Sequence, residues 1–426
     1  MTNIKFKSKK RSNATYFLLV TALTFIAGLG FLNISPQITP LSDDFEYYTL
    51  AGNIADGNGF SMDGQTPASY RPPLFSSLLG GWFYLSRSKT LLSGSIFQAL
   101  IHAFSAGAAF LLFSYLFKSL YLSLFLSLWI GLLPPHLSRI MLIMQEPLLT
   151  LLTTLSILLT LKFMDKPNSF SSISTGIFWG LCTLAKCVTW FVPFLIALYQ
   201  IKNKSFRNSK KHITLLFLSF FITLTPWAIR NYIHFNELII VNAQGTSIME
   251  WNIKTNYKRT LFSKNFDKTK GTKLIKDLNE KKTPAAEKKK VMWQFLKQNK
   301  TYFIIGKPLS GAMYFTFPDF FENWYKTKPS PSENYKKPIA YAWWLILTIP
   351  LFLVLFYRLI KLAKGKLNLH LSFLVIFYLI YWAQYAIICS VPRYSAPVYP
   401  VLLCLLPIPF MNYFATYMNI YIKKKL

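Results

Sequence analysis

Residues 41–51 read LSDDFEYYTLA and follow closely behind the first long apolar run of the chain, residues 16–34. The stretch holds Asp43, Asp44 and Glu46, in a chain of 426 residues that has only 16 acidic side chains. The formal net charge is +31, so carboxylates are scarce everywhere. Carboxylates at the end of an apolar run are therefore the first candidates for the chemistry of this protein.

The composition indicates a membrane protein with many spans. Hydrophobic residues make up 53% of the chain, charged residues only 15%, and the mean hydropathy is +0.32. A helix needs about 17–25 apolar residues to cross a bilayer, and about ten stretches approach this length. They are residues 16–34, 93–117, 119–134, 147–163, 171–185, 188–201, 213–229, 339–357, 369–388 and 396–420.

Lysine and arginine residues between these spans indicate the orientation. Basic clusters precede the first span, separate the sixth from the seventh, follow the eighth and close the chain. With ten spans they all fall on one side, which the positive-inside rule makes the cytoplasmic side. We therefore expect an integral, multi-pass protein of the plasma (inner) membrane with both termini in the cytoplasm. Membrane topology also accounts for much of the positive charge, so nucleic acid is not a predicted partner, whereas membrane lipids are.

The chain is predicted to be all-α and to divide into three parts. Residues 1–229 form a transmembrane catalytic module, whose first external loop is 35–92. Residues 230–338 form an external region facing the periplasm or exterior, with a small α-rich lobe, and residues 339–426 supply the last spans. The fifth and sixth spans are short and flank Lys186, so they either cross separately or form a re-entrant pair.

Two interfacial helices are predicted within the first external loop. One covers residues 45–55 and the other 74–85. The turn-rich Asp56-Gly57-Asn58-Gly59 ends the first, and Arg71-Pro72-Pro73 precedes the second. Aromatic residues in both favour a position in the membrane interface.

Several short motifs occur in a fixed order along the chain. The acidic pair after the first span is followed by Tyr47 and Ala51 at set distances. The other motifs are Arg71-Pro72-Pro73-Leu74, Gln145-Glu146-Pro147, TPWAIRNY at residues 225–232, and Pro392-Arg393-Tyr394 with Pro397 and Pro400. In this order and at these topological positions, the chain resembles membrane glycosyltransferases of the GT-C type. Within this type it resembles the bacterial group of protein O-mannosyltransferases and lipid A aminoarabinose transferase.

The resemblance implies the GT-C fold and an inverting sugar transfer. A monosaccharide, a hexosyl or pentosyl group, would pass from a polyprenyl-phosphate donor to a lipid, glycan or protein acceptor on the non-cytoplasmic face. Chemistry agrees, because the acceptor hydroxyl must lose a proton to a base and the departing lipid phosphate needs cations. No cofactor is firmly implied and no metal ligand is assigned, while a requirement for a divalent cation stays open.

Asp43 is the first candidate for the base, because the resemblance places an acidic residue four before the position of Tyr47. Asp44 is its acidic neighbour, and Glu146 is a second carboxylate that would orient the acceptor or balance a cation. Each has a structural alternative, since Ser42, Asp43 and Asp44 suit a helix N-terminus and Glu146 precedes a proline that starts a helix. Tyr47 and, in the later motif, Tyr394 are expected to bind substrate.

Five cations lie near the predicted external ends of the spans, and each either binds the donor phosphate or reaches towards lipid headgroups. They are Arg71, Arg139, Lys186, Arg230 and Arg393. Arg71 and Arg393 lie within matched motifs and are therefore preferred. His136 has no second histidine at ligand spacing and is expected to be structural.

Other classes of function remain as alternatives. A transporter or flippase for a lipid-linked sugar should carry ionisable groups near the middle of its spans, where this chain has almost none. A glycan polymerase or ligase would share the architecture but use oligosaccharide donors. A scaffold without catalytic activity would need neither the acidic loop nor the cations.

The ten-span count predicts where reporter fusions will be exposed. Fusions at Ser61 and Lys270 should report from outside the cytoplasm, and fusions at Lys204, Lys364 and Lys424 from inside it, because the basic clusters stay in the cytoplasm. Paired periplasmic and cytoplasmic reporters at each position measure this. A cytoplasmic Lys270 would place the large loop away from Asp43 and overturn the topology.

Overall fold

The computed structural model describes residues 4–35, 39–40, 42–202, 206–242, 247–254, 268–281, 283–316, 349–388 and 392–406, and these residues form helices and connections without a strand. The N-terminal helices are α1 (Ile4–Ile34), α2 (Asp43–Ala55), α3 (Pro73–Ser86), α4 (Leu91–Phe117), α5 (Leu120–Leu132), α6 (Pro134–Leu137), α7 (Glu146–Asp165), α8 (Ser169–Ala185), α9 (Val192–Lys202) and α10 (Phe206–Phe235). The later helices are α11 (Ser247–Lys254), α12 (Lys268–Glu280), α13 (Ala285–Gln298), α14 (Lys307–Thr316), α15 (Ile349–Ala363), α16 (Leu369–Ile388) and α17 (Tyr399–Cys404).

The fold is that of an all-α, multi-pass membrane protein. Within the described ranges, five helices are long and apolar enough to cross a bilayer. They are Asn13–Ile34, Leu91–Phe117, Glu146–Asp165, Lys210–Phe235 and Leu369–Ile388. Two shorter apolar helices, Leu120–Leu132 and Cys187–Ile201, coincide with predicted spans three and six. Most of predicted span ten and the start of span eight lie outside the described residues, so the count of ten stays a prediction.

Both predicted helices of the first loop are present, as α2 and α3. Asp43, Asp44 and Glu46 occupy the first turn of α2, where their negative charge complements the helix dipole. Pro73 begins α3, and the helix ends where Arg87 adopts a left-handed conformation (φ 53°).

The helices α2 and α3 lie side by side and run in the same direction. The Tyr47 ring meets the Phe75 ring edge-on at 5.4 Å near the start of both helices, and Tyr48 meets Phe83 at 5.7 Å further along. Gly80, which lies between Phe75 and Phe83 on α3, passes so close to α2 that a methyl group there would stand 2.8 Å from Ile54 Cγ2. The first residues of both helices are therefore neighbours, and so are their last residues.

A polar contact shows which ends of the long helices share a face. Asp165, at the end of α7, accepts a bond from the Tyr115 hydroxyl near the end of α4. The other oxygen of Asp165 lies 2.8 Å from His370 Nε2 at the start of α16. The ends of α4 and α7 and the start of α16 are thus at one face, opposite the start of α4.

The segment between α5 and α7 is only partly helical. Side chains of α4 bind backbone carbonyls within this segment and at the adjoining ends of α5 and α7. Gln98 Nε2 donates to the carbonyls of Leu142 and Met144 at 2.7 and 2.6 Å. One and two turns further along α4, His102 Nε2 lies 2.9 Å from the carbonyl of Gly131, and Ser105 Oγ donates to that of Pro147. Backbone carbonyls at membrane depth need such partners, so this polar stripe makes the broken segment tolerable.

The described residues belong to two compact units, divided near residue 242 and again within α16. The first contains α1 to α10, α15, the first part of α16 and α17. The second contains α11 to α14 and, within the described ranges, residues 378–388 and 392–395. The core of its small helical lobe consists of Ile253, Ile275, Leu278, Met292, Tyr302 and Phe303. The three-part division expected from the sequence stays a prediction.

The adjacent glycines of α3 give a matched test of the α2–α3 contact. Gly80→Ala should lower stability by about 1–3 kcal/mol, because the new methyl group would also stand 2.9 Å from the carbonyl oxygen of Ala51. Gly81 has no atom within 4 Å of the added carbon, so Gly81→Ala should raise stability by about 0.5–1 kcal/mol through helix propensity. Thermal unfolding in detergent measures both, and an equal response of the two variants would contradict the close packing.

Candidate active site

Arg71 joins two carboxylates of α2. Its Nη2 atom lies 2.6 Å from Asp43 Oδ1, and its Nε atom donates to Glu46 Oε2. Exposed fractions of the Arg71, Asp43 and Glu46 side chains are 21%, 17% and 32%, so the cluster is partly shielded but open to a ligand. We call Asp43, Glu46 and Arg71 the acid–arginine cluster.

Local structure places this cluster at the common start of α2 and α3. Asp43 and Glu46 are three residues apart on α2 and share one face of the helix. Arg71 immediately precedes the proline pair that starts α3, which fixes its backbone beside the first turn of α2. Tyr47 is fully buried beneath the guanidinium, whose central carbon lies 5.3 Å from the ring centre. In this arrangement Tyr47 supports Arg71 from below, and its expected contact with substrate stays a prediction.

The electrostatics keep Arg71 cationic. Burial works against its charge, but Tyr47, Asp43 and Glu46 outweigh this effect and raise the pKa of Arg71 above its ordinary value. The adjacent Tyr70 has its pKa raised to about 12 by burial and by the charge of Glu46, so its hydroxyl stays neutral at physiological pH. The acid–arginine cluster carries two carboxylates against one guanidinium.

Asp44 has a different local role. Its Oδ1 atom accepts a hydrogen bond from the backbone amide of Ser42 at 2.9 Å, just before the first turn of α2. This is the helix-start contact anticipated as the structural alternative for the acidic pair. Asp43, in contrast, pairs with Arg71. Asp44 therefore binds the backbone at the start of the helix, whereas Asp43 belongs to the acid–arginine cluster.

Glu146 and Lys186 form a second, more deeply buried pair. Glu146 begins α7 with an exposed fraction of 2%, and its Oε1 atom lies 3.5 Å from Lys186 Nζ. Lys186 lies where α8 ends in extended backbone, and 15% of its side chain is exposed. The cation that pairs with Glu146 in this structure is Lys186.

Arg139 and His136 lie in the broken segment before α7. Arg139 is buried, with an exposed fraction of 9%. The His136 ring is also buried, stacks on His102 with ring centres 6.5 Å apart and contacts Tyr399. These packing contacts agree with the structural role expected for His136, while phosphate binding by Arg139 stays a prediction.

Arg230 holds the first loop in place. Its Nη1 atom donates to the Ala68 carbonyl at 2.7 Å, and Nη2 donates to the Phe60 carbonyl at 3.3 Å. The guanidinium also lies 4.7 Å from the ring centre of Trp227. These bonds to main-chain carbonyls make Arg230 an anchor of the loop, and its expected contact with the donor phosphate stays a prediction.

The loop that Arg230 anchors has its own internal order. Asp63 accepts hydrogen bonds from the amides of Thr66 and Gln65 and from the hydroxyls of Thr66 and Ser61. These bonds, the Thr66 amide first, lower the pKa of Asp63 below its usual range, so the turn persists in mild acid.

Arg393 and Tyr394 belong to the second unit. The ring of Tyr394 lies 4.6 Å from that of Tyr385, and the Arg393 guanidinium lies 5.5 Å from the Tyr394 ring centre. Tyr385 in turn stacks on Phe315, which makes this a connected aromatic cluster. Donor binding by Arg393 and substrate binding by Tyr394 stay predictions.

Glu46 belongs to the acidic stretch after the first apolar run, but the sequence predicts no role for it in the site. The structure shows instead that it shares Arg71 with Asp43. The spacing of three between the two acids was a usable signal, because residues three apart on a helix are neighbours. In the part of the chain that the structure describes, no group of three His, Cys, Asp or Glu side chains is arranged to hold a metal ion.

Comparison with known proteins identifies the fold. No family model matches the chain, and no curated protein matches it. The structure of the archaeal oligosaccharyltransferase AglB from Archaeoglobus fulgidus, in complex with an inhibitory peptide and a dolichol-phosphate, aligns with a TM-score of 0.58 at 12% identity. A second Archaeoglobus fulgidus oligosaccharyltransferase structure, tethered to an acceptor peptide containing the NVT sequon, aligns with a TM-score of 0.52 at 12% identity.

These alignments cover 96% and 92% of this chain but only 52% and 48% of the two enzymes. The chain thus spans about half the length of the oligosaccharyltransferases that it resembles. Their fold is of the GT-C type, which confirms the fold class expected from the sequence motifs. This comparison does not test the resemblance to the bacterial mannosyl- and aminoarabinosyltransferase group, which stays a prediction.

Removing the Arg230 anchor should loosen the first loop. In Arg230→Met, amide hydrogen exchange across residues 57–69 should speed up by about tenfold or more, because hydrogen bonds to a charged donor contribute about 1.5–3 kcal/mol. Lys89→Met is the matched control, since it removes an exposed ion pair with Asp56 worth about 0–1 kcal/mol. Exchange measured by mass spectrometry that is no faster in Arg230→Met than in the control would contradict the anchoring role.

Proposed function

We propose that the protein is an inverting glycosyltransferase that moves a monosaccharide from a polyprenyl-phosphate carrier to an acceptor outside the cytoplasm. The acid–arginine cluster at the start of α2 and α3 is the observation that carries this proposal. It combines a carboxylate that can accept a proton with a cation that can bind phosphate, on a fold shared with membrane glycosyltransferases. The acceptor is a lipid, a glycan or a protein.

The proposed reaction begins with a rearrangement of the cluster. An incoming carrier phosphate competes with Asp43 and Glu46 for the guanidinium of Arg71. Because charge-assisted bonds to phosphate are strong and bidentate for arginine, the phosphate can draw Arg71 away from Asp43. Glu46 then keeps a second hold on Arg71 through the Nε atom.

Asp43 then acts as the general base. It accepts the proton of the acceptor hydroxyl as the oxygen attacks the anomeric carbon from the face opposite the phosphate, which inverts that centre. The bond from sugar to phosphate breaks, and the electrons pass to the phosphate oxygen, whose charge Arg71 stabilises. The buried Glu146–Lys186 pair supplies a second carboxylate and cation, which we assign to holding the acceptor and the carrier respectively.

Support for a lipid-phosphate donor also comes from the fold neighbours, one of which binds a dolichol-phosphate. Support for a monosaccharide donor comes from the motif resemblance to the bacterial mannosyl- and aminoarabinosyltransferase group. Transfer of an oligosaccharide is the second candidate, because both solved neighbours are oligosaccharyltransferases. A transporter is less favoured, since the cluster lies at helix starts in a loop and not within a span.

The proposal predicts different kinetic defects for the two members of the ion pair. Asp43→Asn should lower turnover by about 10²–10⁴-fold with little change in donor KM, because it removes the base while preserving shape. Arg71→Ala should raise donor KM by about tenfold or more, and Arg71→Lys should restore only part of this, because lysine lacks the bidentate fork. Initial rates in nanodiscs, with a defined polyprenyl-phosphate monosaccharide and its oligosaccharide counterpart, measure both effects.

Glu280→Gln is the matched control for Asp43→Asn, since it makes the same carboxylate-to-amide change in an exposed ion pair of the second unit. Full turnover in Asp43→Asn would move the base to Glu146 or Asp44. Unchanged donor kinetics in Arg71→Ala would remove Arg71 from the phosphate site. Mass analysis of lipids and surface glycans from cells with and without the protein identifies the product and acceptor.

A further inference from the structure

A cavity of about 440 Å³ lies at the far ends of α2 and α3, away from the acid–arginine cluster. Its lining includes Asp56, Phe83 and Tyr84, and also Leu85, Arg87 and Lys89. We call it the distal cavity. None of the motifs that suggested a glycosyltransferase contributes to it.

The position of the distal cavity along the chain places it at the membrane interface. Only four residues separate the end of α3 from Leu91, the first residue of the spanning helix α4. Trp82 Nε1 donates to the Ser93 carbonyl at 3.0 Å and ties the last turn of α3 to the first turn of α4. Beside the cavity, Tyr84 and Leu85 are 70% and 80% exposed. An exposed aromatic and an aliphatic side chain at a span end are typical of residues that enter the interface.

The charges of the distal cavity leave one cation for a ligand. Lys89 Nζ binds both carboxylate oxygens of Asp56, at 2.7 and 2.8 Å, so these two charges compensate each other. The Tyr48 hydroxyl donates a hydrogen bond to the Lys89 carbonyl and so fixes the backbone of Lys89 at the edge of the cavity. Arg87 is exposed, and among the described residues its guanidinium has no acidic partner.

The distal cavity and the acid–arginine cluster cannot share one phosphate. Asp43 and Ala55 are the first and last residues of the 13-residue helix α2. With a rise of about 1.5 Å per residue, the two ends of this helix are about 18 Å apart. A phosphate held by Arg87 is therefore beyond the reach of Arg71.

We propose that the distal cavity binds the headgroup of an anionic membrane phospholipid. The phosphate pairs with Arg87, and an acyl chain lies along Tyr84 and Leu85. This occupant matches both halves of the site, because a phospholipid joins a negative head to an apolar tail, whereas a free anion or a glycan matches only one. The bound lipid braces the far end of the α2–α3 pair, whose near end carries the acid–arginine cluster.

Photo-crosslinking in nanodiscs tests this assignment. The 426-residue chain is reconstituted with a trace of phosphatidylglycerol that carries a photoreactive acyl chain, and crosslinked peptides are identified by mass spectrometry. Crosslinks should appear within residues 83–89. Arg87→Gly should reduce them by about tenfold or more, because a charge-assisted phosphate contact is lost, and Arg87→Lys should retain most of them.

Lys118→Gly is a matched control. Lys118, at the end of α4, also has a left-handed backbone (φ 52°), and the change likewise removes one positive charge. Glycine relieves the left-handed strain in both variants, so both should fold, which size-exclusion chromatography and thermal unfolding verify. Crosslinking within residues 83–89 should be unchanged in this control.

Two results would overturn the proposal. Equal crosslinking within residues 83–89 in Arg87→Gly and Lys118→Gly would show that Arg87 does not hold the headgroup. Displacement of the crosslink by added polyprenyl phosphate, but not by unlabelled phosphatidylglycerol, would assign the cavity to the carrier instead. Neither result depends on catalytic turnover, so the lipid site and the proposed enzyme activity can fail independently.

Discussion

The attachment of Arg71 to Asp43 and Glu46 is the interaction on which the organisation of the first loop depends. It joins the start of α3 to the first turn of α2 and brings the cation that we propose to bind phosphate beside a candidate base. An arginine held between two partly buried carboxylates is strongly anchored, because removal of the cation would leave two desolvated negative charges. In the proposed mechanism, a phosphate replaces Asp43 as a partner of Arg71 while Glu46 stays bound to the guanidinium.

Membrane depth constrains the rest of the first unit. Where the backbone between α5 and α7 leaves the helical path, its carbonyls find partners on α4, chiefly Gln98 and His102. This irregular segment is also where Arg139 and Glu146 enter the structure. Polar groups at this depth are costly unless paired, so the hydrogen-bonded irregular backbone and these buried charged side chains occur in the same place.

The paired helices α2 and α3 give the first loop two distinct ends. At one end lies the acid–arginine cluster, and at the other lies the distal cavity with Arg87. Close packing at Gly80 and the edge-on contact of Tyr47 with Phe75 make the pair a stiff element. A lipid bound at one end and a substrate bound at the other would therefore act on the same rigid body, on a fold shared with much longer oligosaccharyltransferases.

The sequence by itself determined the fold class, the positions of α2 and α3, and the candidacy of Asp43 and Arg71, because apolar length, proline stops and scarce charges are properties of contiguous residues. Only the tertiary structure decided the pairings. Glu46 meets Arg71 across 25 residues, Glu146 meets Lys186 across 40, and Arg230 meets Ala68 across 162. Contacts over such separations depend on how helices pack, so a cation near a span end can equally bind phosphate, a carboxylate or a main-chain carbonyl. The packing of the helices thus places Glu46 in the acid–arginine cluster and makes Arg230 an anchor of the first loop.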